Sequence, residues 1–165
     1  MLGGHIHRGG LRMKSIGQLL SPADILLDVD VSTKTAVFEE AGRLFEQRHG
    51  LLQAQVVEGL SAREELGSTG LGLGIALPHA RVPNLPQPAA AFMRLKRPIP
   101  FDSPDGKPVS CLVIFLVPED TTEEHLDMLA EITQMFGDRA FRERMRSCEN
   151  PDAVFRLFSA WPHSY

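Results

Sequence analysis

Residues 67–79 read GSTGLGLGIALPH, a glycine-rich loop that runs through a short apolar segment into a histidine. Four glycines fall within the first eight positions. Because glycine has no Cβ, the backbone amides of such a loop can lie close to an anion. The apolar run 73–77 predicts a strand, and Pro78 predicts a turn that presents His79 at the end of that strand. An imidazole held there is a candidate phosphoryl acceptor, since it is nucleophilic near neutral pH without a separate base.

Two common nucleotide-binding motifs do not fit this loop. A dinucleotide fingerprint requires G-x-G-x-x-G, whereas residues 70–75 read GLGLGI. A phosphate-binding P-loop requires Gly-Lys followed by Ser or Thr, but Gly106-Lys107 is followed by Pro108. From composition alone, a glycine-rich turn without a ligand is the alternative interpretation.

Length and composition favour one globular domain. The chain has 165 residues, of which 43% are hydrophobic and 23% charged. A chain of this size can bury roughly 70% of its unfolded surface. The net charge of −4 argues against a general nucleic-acid binder. No apolar run approaches the roughly 18 residues of a membrane span, so membrane insertion is not expected.

The cysteines and the chain ends bear on location and domain limits. Cys111 and Cys148 lack metal-ligand spacing, so the sequence predicts reduced thiols and a cytoplasmic location. Residues 1–14 lack the apolar core of a signal peptide and predict a disordered lead. Residues 161–165 predict a short tail, which leaves 15–160 as the folded domain.

The expected helices and strands follow from the periodicity of apolar residues and from the capping residues, glycines and prolines at their ends. The strand at 109–117 is nearly all apolar and is therefore expected to be central in the sheet. Capping-box spacing of Ser61 and Glu64 indicates a break or restart in the second helix. The prolines of residues 97–108 predict a loop or an excursion at the edge of the sheet. The predicted helices are 33–49, 53–66, 121–137, 138–146 and 150–160, and the predicted strands are 73–77, 89–95 and 109–117. This order predicts a single-domain three-layer α/β/α sandwich around a mixed β-sheet.

Residues 63–79, REELGSTGLGLGIALPH, resemble the signature of the IIA component of the bacterial phosphotransferase system, fructose/mannitol type. The chain is most similar to the nitrogen-regulatory branch of that family, because residues 16–24, IGQLLSPAD, and 97–102, RPIPFD, are also similar. The resemblance spans about residues 16–158. It implies the same sandwich fold and a phosphohistidine relay that needs no metal, nucleotide or other cofactor.

The resemblance also implies roles for two histidines. His79 would accept the phosphoryl group, on Nε2 provided that a backbone group holds Nδ1. His125 would stabilise the phosphate from the first turn of a helix, where free amides and the helix dipole favour anions. Without the resemblance, the preferred interpretation of His125 is a half-buried histidine that bonds a local backbone group.

Further candidate site residues lie within the signature. The family pattern makes Arg63 a phosphate clamp, whereas an arginine near a helix end is otherwise a solvated charge paired with a neighbouring glutamate. Hydroxyls and amides of the loop would donate to the same phosphate, although loop hydroxyls also close turns. Leu71 and Leu73 are candidates for an apolar partner-binding rim or for core contacts. The predicted phosphate-binding loop consists of Gly67, Ser68, Thr69 and Gly70.

By analogy with the family, the donor is a small histidine-containing phosphocarrier protein. In the nitrogen-regulatory branch, the phosphorylated or unphosphorylated chain would regulate a downstream protein. In the sugar-specific alternative, it would pass the phosphoryl group to a permease-linked IIB domain. The IIA-like segment fills the chain, which favours the regulatory branch.

Two interpretations from other classes stay open at this point. One is a metal-dependent hydrolase that uses His79, His125 and a carboxylate such as Asp102 or Asp120, although no metal-binding motif supports it. The other is a binding module whose glycine loop holds a carboxylate or phosphate metabolite without chemistry.

Overall fold

The computed structural model describes residues 15–121 and 124–162, and of residues 124 and 125 only the backbone. The predicted lead 1–14 and residues 163–165 of the predicted tail lie outside the described residues. The described helices are α1 (Ile16–Leu19), α2 (Lys34–His49), α3 (Gln53–Glu65), α4 (Glu124–Gly137), α5 (Arg139–Ser147) and α6 (Pro151–Ala160), with a 3-10 turn at Pro22–Asp24. The strands are β1 (Ile25–Val29), β2 (Gly70–Gly72), β3 (Ile75–Ala76), β4 (His79–Val82), β5 (Ala89–Ile99) and β6 (Val109–Pro118).

The described strands form one six-stranded mixed sheet in the order β1-β5-β6-β3-β2, with β4 also paired to β6. Strands β5 and β6 are antiparallel, whereas β3 and β4 both run parallel to β6. Strand β6 is buried along nearly its whole length. The prediction that this segment is central is therefore confirmed.

Helices cover both faces of the sheet. On one face, α2 and α3 pack through apolar side chains such as Val37, Phe45 and Leu60. On the other face, α1, α4, α5 and α6 supply a second apolar cluster that includes Ile16 and Phe158. The predicted three-layer sandwich around a mixed sheet is confirmed. None of the described helices combines the length and apolar character needed to cross a bilayer.

Helix starts follow the local capping signals. The side-chain oxygens of Thr33, Asp138 and Asn150 each accept a hydrogen bond from the backbone amide three residues later, at 3.1, 3.2 and 2.8 Å. These bonds satisfy amides that the first helical turn leaves unpaired. The break indicated by Ser61 and Glu64 is wrong: α3 is continuous, and the Glu64 carboxylate bonds groups outside the helix.

The sequence missed or misplaced several short strands. Strands β1, β2 and β4 were not predicted, and β5 continues to Ile99, so the loop predicted at 97–108 begins three residues too early. A register shift between Arg94 and Ile99 accommodates Pro98 within the strand. The strand predicted at 73–77 is reduced to β3, because Leu73 and Gly74 both have positive φ and form the turn of the β2–β3 hairpin.

The tip of this hairpin is held by a carboxylate. Asp105 accepts hydrogen bonds from the backbone amides of Leu73, at 2.9 Å, and Lys107, at 3.0 Å. These bonds favour the charged carboxylate and lower the pKa of Asp105 below its ordinary value of 3.8. At a pH above the lowered pKa, the charged Asp105 carboxylate accepts both hydrogen bonds and stabilises the hairpin tip. This stabilisation is lost as the pH falls through the lowered pKa.

We therefore expect the Leu73 amide resonance to titrate in acid with a midpoint below 3.8, the ordinary pKa of an aspartate. The measurement is a series of ¹⁵N correlation spectra over acid pH. Asp105→Asn should remove this titration. A midpoint at or above the ordinary value would contradict the described clamp.

Candidate active site

His79 is the first residue of β4, opposite Phe115 of β6. Strands β3 and β4 pair with β6 in the same register, interrupted only by Leu77 and Pro78. The amide of Phe115 donates to the Pro78 carbonyl at 3.0 Å, which keeps the interruption close to β6. The prediction that His79 follows a strand in a turn is thus corrected: it begins a second short strand on the same line.

The imidazole of His79 has a defined tautomer. Its Nδ1 lies 2.8 Å from the Leu77 carbonyl oxygen, and because a carbonyl only accepts, Nδ1 carries the proton. In the neutral ring the lone pair is therefore on Nε2. Leu77 is itself fixed, since its amide donates to the Thr69 carbonyl at 2.9 Å. The condition set out above for reaction at Nε2 is met, and the glycine-rich segment orients the ring.

A cleft beside the half-buried His79 has a volume of about 400 Å³. Arg63, near the end of α3, lines this cleft together with His79, as the family pattern implies. Its Nη1 donates to the Gly67 carbonyl at 2.8 Å, which fixes the guanidinium. The cleft is lined by Gly59, Ala62, Arg63, Leu66, His79, Ala80, Arg81, Phe115 and Val117.

Arg81 lies in the same cleft, and the sequence analysis did not select it. Alternate residues of a strand point to the same face, so Arg81 and His79 share one face of β4. The Nε of Arg81 donates to the Thr121 carbonyl at 2.8 Å. The sequence feature that could have identified Arg81 is its position two residues after His79. This spacing indicates a shared face only once residues 79–82 are known to form a strand. Two guanidinium groups beside one imidazole make the cleft favourable for an anion.

Glu64 anchors the loop that follows α3. Its carboxylate accepts from the amide of Thr69 at 3.1 Å, from the hydroxyl of Thr69 at 2.6 Å and from Lys34 Nζ at 2.9 Å. The Glu64 side chain is only 6% exposed, so these bonds compensate for burying its charge. Lys34 also contacts Asp102 at 3.2 Å. The network fixes the loop between Arg63 and the hairpin.

Five donors of the predicted phosphate-binding loop, the Ser68 and Thr69 hydroxyls and the amides of Gly67, Thr69 and Gly70, bond protein acceptors in this structure. The Ser68 hydroxyl donates to the Phe101 carbonyl at 2.6 Å, and the Gly70 amide donates to Ser68 Oγ at 3.0 Å. The Gly67 amide donates to the Glu64 carbonyl at 3.2 Å, and the Thr69 donors go to the Glu64 carboxylate. These residues support the site in this state, and direct phosphate binding by them stays a prediction.

Leu71 and Leu73 do not form the rim of the His79 cleft. Strand β3 pairs with β6 at Cys111, whereas β4 pairs with it at Phe115. At about 3.3 Å per residue, the hairpin that carries both leucines is displaced by roughly 13 Å along the sheet. The exposed apolar side chain that lines the cleft is Leu66, which is 84% exposed. Leu66 is therefore the exposed apolar side chain at the cleft, and a partner-binding role for Leu71 and Leu73 stays a prediction.

The remaining predicted site residues are placed as follows. His125 is the second residue of α4, but its side chain lies outside the described residues, so its role stays a prediction. Asp102, named for the hydrolase interpretation, pairs with Lys34, and Asp120 is exposed. Among the described side chains, residues 15–121 and 126–162, no three His, Cys, Asp or Glu are grouped as a metal ion would require.

Comparisons with known proteins identify the family of this chain. The family described as "Phosphoenolpyruvate-dependent sugar phosphotransferase system, EIIA 2" matches residues 18–161. The chain belongs to this family. A nitrogen regulatory protein from Pseudomonas aeruginosa is 39% identical over 146 residues, covering 88% of this chain and 95% of that relative.

Solved structures of EIIA proteins show the same fold. The crystal structure of nitrogen regulatory protein IIA-Ntr from Neisseria meningitidis matches with a TM-score of 0.82 and 44% identity, over 87% of this chain and 98% of that one. A complex of enzyme IIA mannitol with phosphorylated enzyme IIB mannitol from Escherichia coli matches with a TM-score of 0.71 and 19% identity, over 86% and 97% of the two chains. At this lower identity the likeness concerns the fold alone.

Proposed function

We propose that this chain is a regulatory phosphohistidine relay protein that accepts a phosphoryl group on His79 from a histidine-containing phosphocarrier protein. The observation that carries the proposal is the Nδ1 contact with the Leu77 carbonyl at 2.8 Å. It turns Nε2 into the nucleophilic nitrogen, in a cleft that also holds the guanidinium of Arg63.

The proposed step balances between two imidazoles. A bond forms between His79 Nε2 and phosphorus while the bond between phosphorus and the ring nitrogen of the carrier breaks. The electron pair of the broken bond returns to the carrier ring, which leaves neutral because its other nitrogen is protonated. The phosphorylated His79 ring keeps its proton on Nδ1, where the Leu77 carbonyl stabilises the positive charge.

Catalysis of such a transfer depends on positioning and on neutralising the equatorial oxygens. Arg63 and Arg81 are the cations of the described cleft that suit this role. His125 would add a donor, as the family resemblance implies. The chain acts once per phosphoryl group, as a stoichiometric phosphotransferase component, and it needs no metal or nucleotide.

Near full-length similarity to nitrogen regulatory proteins supports the regulatory branch. Phosphorylation adds about −1.5 to −2 charge. That charge would appear beside Leu66, so a partner that packs apolar groups against Leu66 would lose affinity. A tenfold loss needs only about 1.4 kcal/mol. The alternative is a sugar-specific IIA protein whose acceptor is a IIB domain.

The test is incubation of the full chain with a phosphorylated histidine phosphocarrier, followed by intact-mass measurement. We expect one phosphoryl group, labile in acid and stable in base, mapped to His79 by fragmentation. Absence of uptake would contradict the relay and favour a binding module. Rapid onward transfer to a sugar IIB domain would favour the transport alternative.

Arg63→Ala is expected to slow phosphoryl uptake by roughly 100-fold, because loss of one preorganised donor commonly costs that much. Single-turnover transfer from the phosphorylated carrier measures the rate. Arg43→Ala is the matched control, since Arg43 is an exposed arginine of α2 that pairs with Glu40. Equal rates for the two variants would contradict the clamp.

A further inference from the structure

A second concave site lies at the other end of β6, about 370 Å³ in volume. It is formed by the hairpin tip, the start of β6 and the solvent side of α5, and we call it the α5 pocket. Ser110 lines it, five residues before Phe115, so it lies roughly 17 Å from the His79 level of the sheet. Its lining residues are Leu73, Gly74, Pro98, Lys107, Pro108, Ser110, Arg142 and Arg146.

The α5 pocket concentrates positive charge. Lys107, Arg142 and Arg146 line it, and its lining contains no carboxylate. In the described part of the chain, none of these three cations takes part in an ion pair. Arg142 and Arg146 are four residues apart on one helix, a spacing at which like charges repel. An anion bound between them would relieve this repulsion.

Both arginines are held in place by carbonyl groups. Arg142 Nη1 donates to the Phe136 carbonyl at 2.8 Å, and Arg146 Nη2 donates to the Leu73 carbonyl at 2.7 Å. A guanidinium has five N–H donors, so one such bond fixes the group and leaves donors for a ligand. Groups ordered before binding lose less entropy when a ligand arrives.

The neighbouring carboxylate of Asp105 attracts Lys107 but forms no ion pair with either arginine. Asp105 lies under the hairpin tip, and its two oxygens accept from the amides of Leu73 and Lys107. These bonds hold the carboxylate on the backbone rather than on either arginine. Asp105 thereby shapes the tip whose Leu73 carbonyl fixes Arg146.

We propose that the α5 pocket binds a small phosphorylated ligand, of the phosphate-ester or diphosphate class. Two fixed guanidinium groups suit the forked geometry of phosphate oxygens, and Lys107 adds a flexible cation. The volume lies within the range of small-molecule sites. This site is separate from the phosphoryl group proposed for His79, and it involves no covalent step.

The test is a titration of the ¹⁵N-labelled full chain with inorganic pyrophosphate at constant ionic strength. We expect saturable shifts of the Gly74 and Ser110 amides, with a dissociation constant distinct from that of any shifts at His79 and Ala80. Arg146→Gln and Lys107→Gln should each weaken binding at least tenfold. Arg139→Gln is the matched control, because Arg139 lies on the same helix but is 84% exposed and pairs with Glu143; it should stay within twofold.

Several outcomes would overturn the proposal. They are shifts without saturation, shifts confined to the His79 cleft, or equal weakening by Arg139→Gln and Arg146→Gln. Binding of a phosphoserine peptide without binding of pyrophosphate would also overturn it. Thermal unfolding checks that the variants fold, and Lys107→Gln leaves the helix unchanged. Phosphoryl uptake on His79, measured on the same variants, should be unaffected, so failure of the relay would be recognised separately.

Discussion

His79→Ala is expected to abolish phosphoryl uptake from the phosphorylated carrier, because the variant lacks the only nitrogen that the proposed step uses. Among the described residues that line the cleft, His79 alone has an imidazole, and its Nδ1 contact with the Leu77 carbonyl leaves the lone pair on Nε2. The measurement is intact mass after prolonged incubation with excess phosphorylated carrier. The expected result is a complete loss, against one phosphoryl group on the unmodified sequence.

The matched control is His49→Ala. His49 ends α2, packs against Phe45 and lies outside the His79 cleft. Partial burial lowers the pKa of its imidazole and thereby favours the neutral ring, yet we expect full uptake without it. Phosphoryl uptake by His79→Ala would disprove the assignment of the acceptor. Both variants should remain folded, because His49 is exposed and His79 is only half-buried, so neither truncation opens a cavity in the core.

Much of the helical layer could be predicted from the sequence because its signals are local. Thr33, Asp138 and Asn150 each cap a helix through an amide three residues away, a distance that the sequence displays directly. Strands β1 and β4 have only five and four residues, and each is defined by pairing with a remote strand. Their partners, β5 and β6, are what makes them strands.

The residues of the candidate site were likewise predictable only where a local motif contains them. His79 and Arg63 came from the motif, and the cleft contains both. Arg81 was missed because Pro78 suggested a turn, and only the pairing with β6 turns residues 79–82 into a strand. The position of Leu73 away from the cleft was not predictable, because sequence proximity to His79 does not show how far a hairpin extends along a sheet. Register is a non-local property, so these errors have one cause.

Gly70→Ala is expected to destabilise the folded protein, because the space beside Gly70 is already filled by Ser103. A Cβ at Gly70 would collide with Ser103 Oγ and would lie 3.0 Å from Ser103 Cβ and 3.1 Å from its Cα. Ser103 is buried at 8% exposure, so rotation of its hydroxyl does not clear the space. Overpacking of this kind costs about 2–3 kcal/mol. In a domain of this size, that lowers the unfolding midpoint by roughly 4–12 °C.

Two further variants make this prediction specific. Gly137→Ala is the matched control, because a Cβ there meets nothing within 4 Å, and in a helix alanine should be neutral or stabilising. Ser103→Gly removes two of the three contacts, so the double variant should recover part of the loss, and the coupling between the two sites should be favourable. Because β2 leads through the hairpin to Leu77, whose carbonyl holds His79, Gly70→Ala should also slow phosphoryl uptake in the protein that remains folded. Destabilisation without any rescue by Ser103→Gly would mean that the cost lies in the backbone of the hairpin rather than in its packing against Ser103.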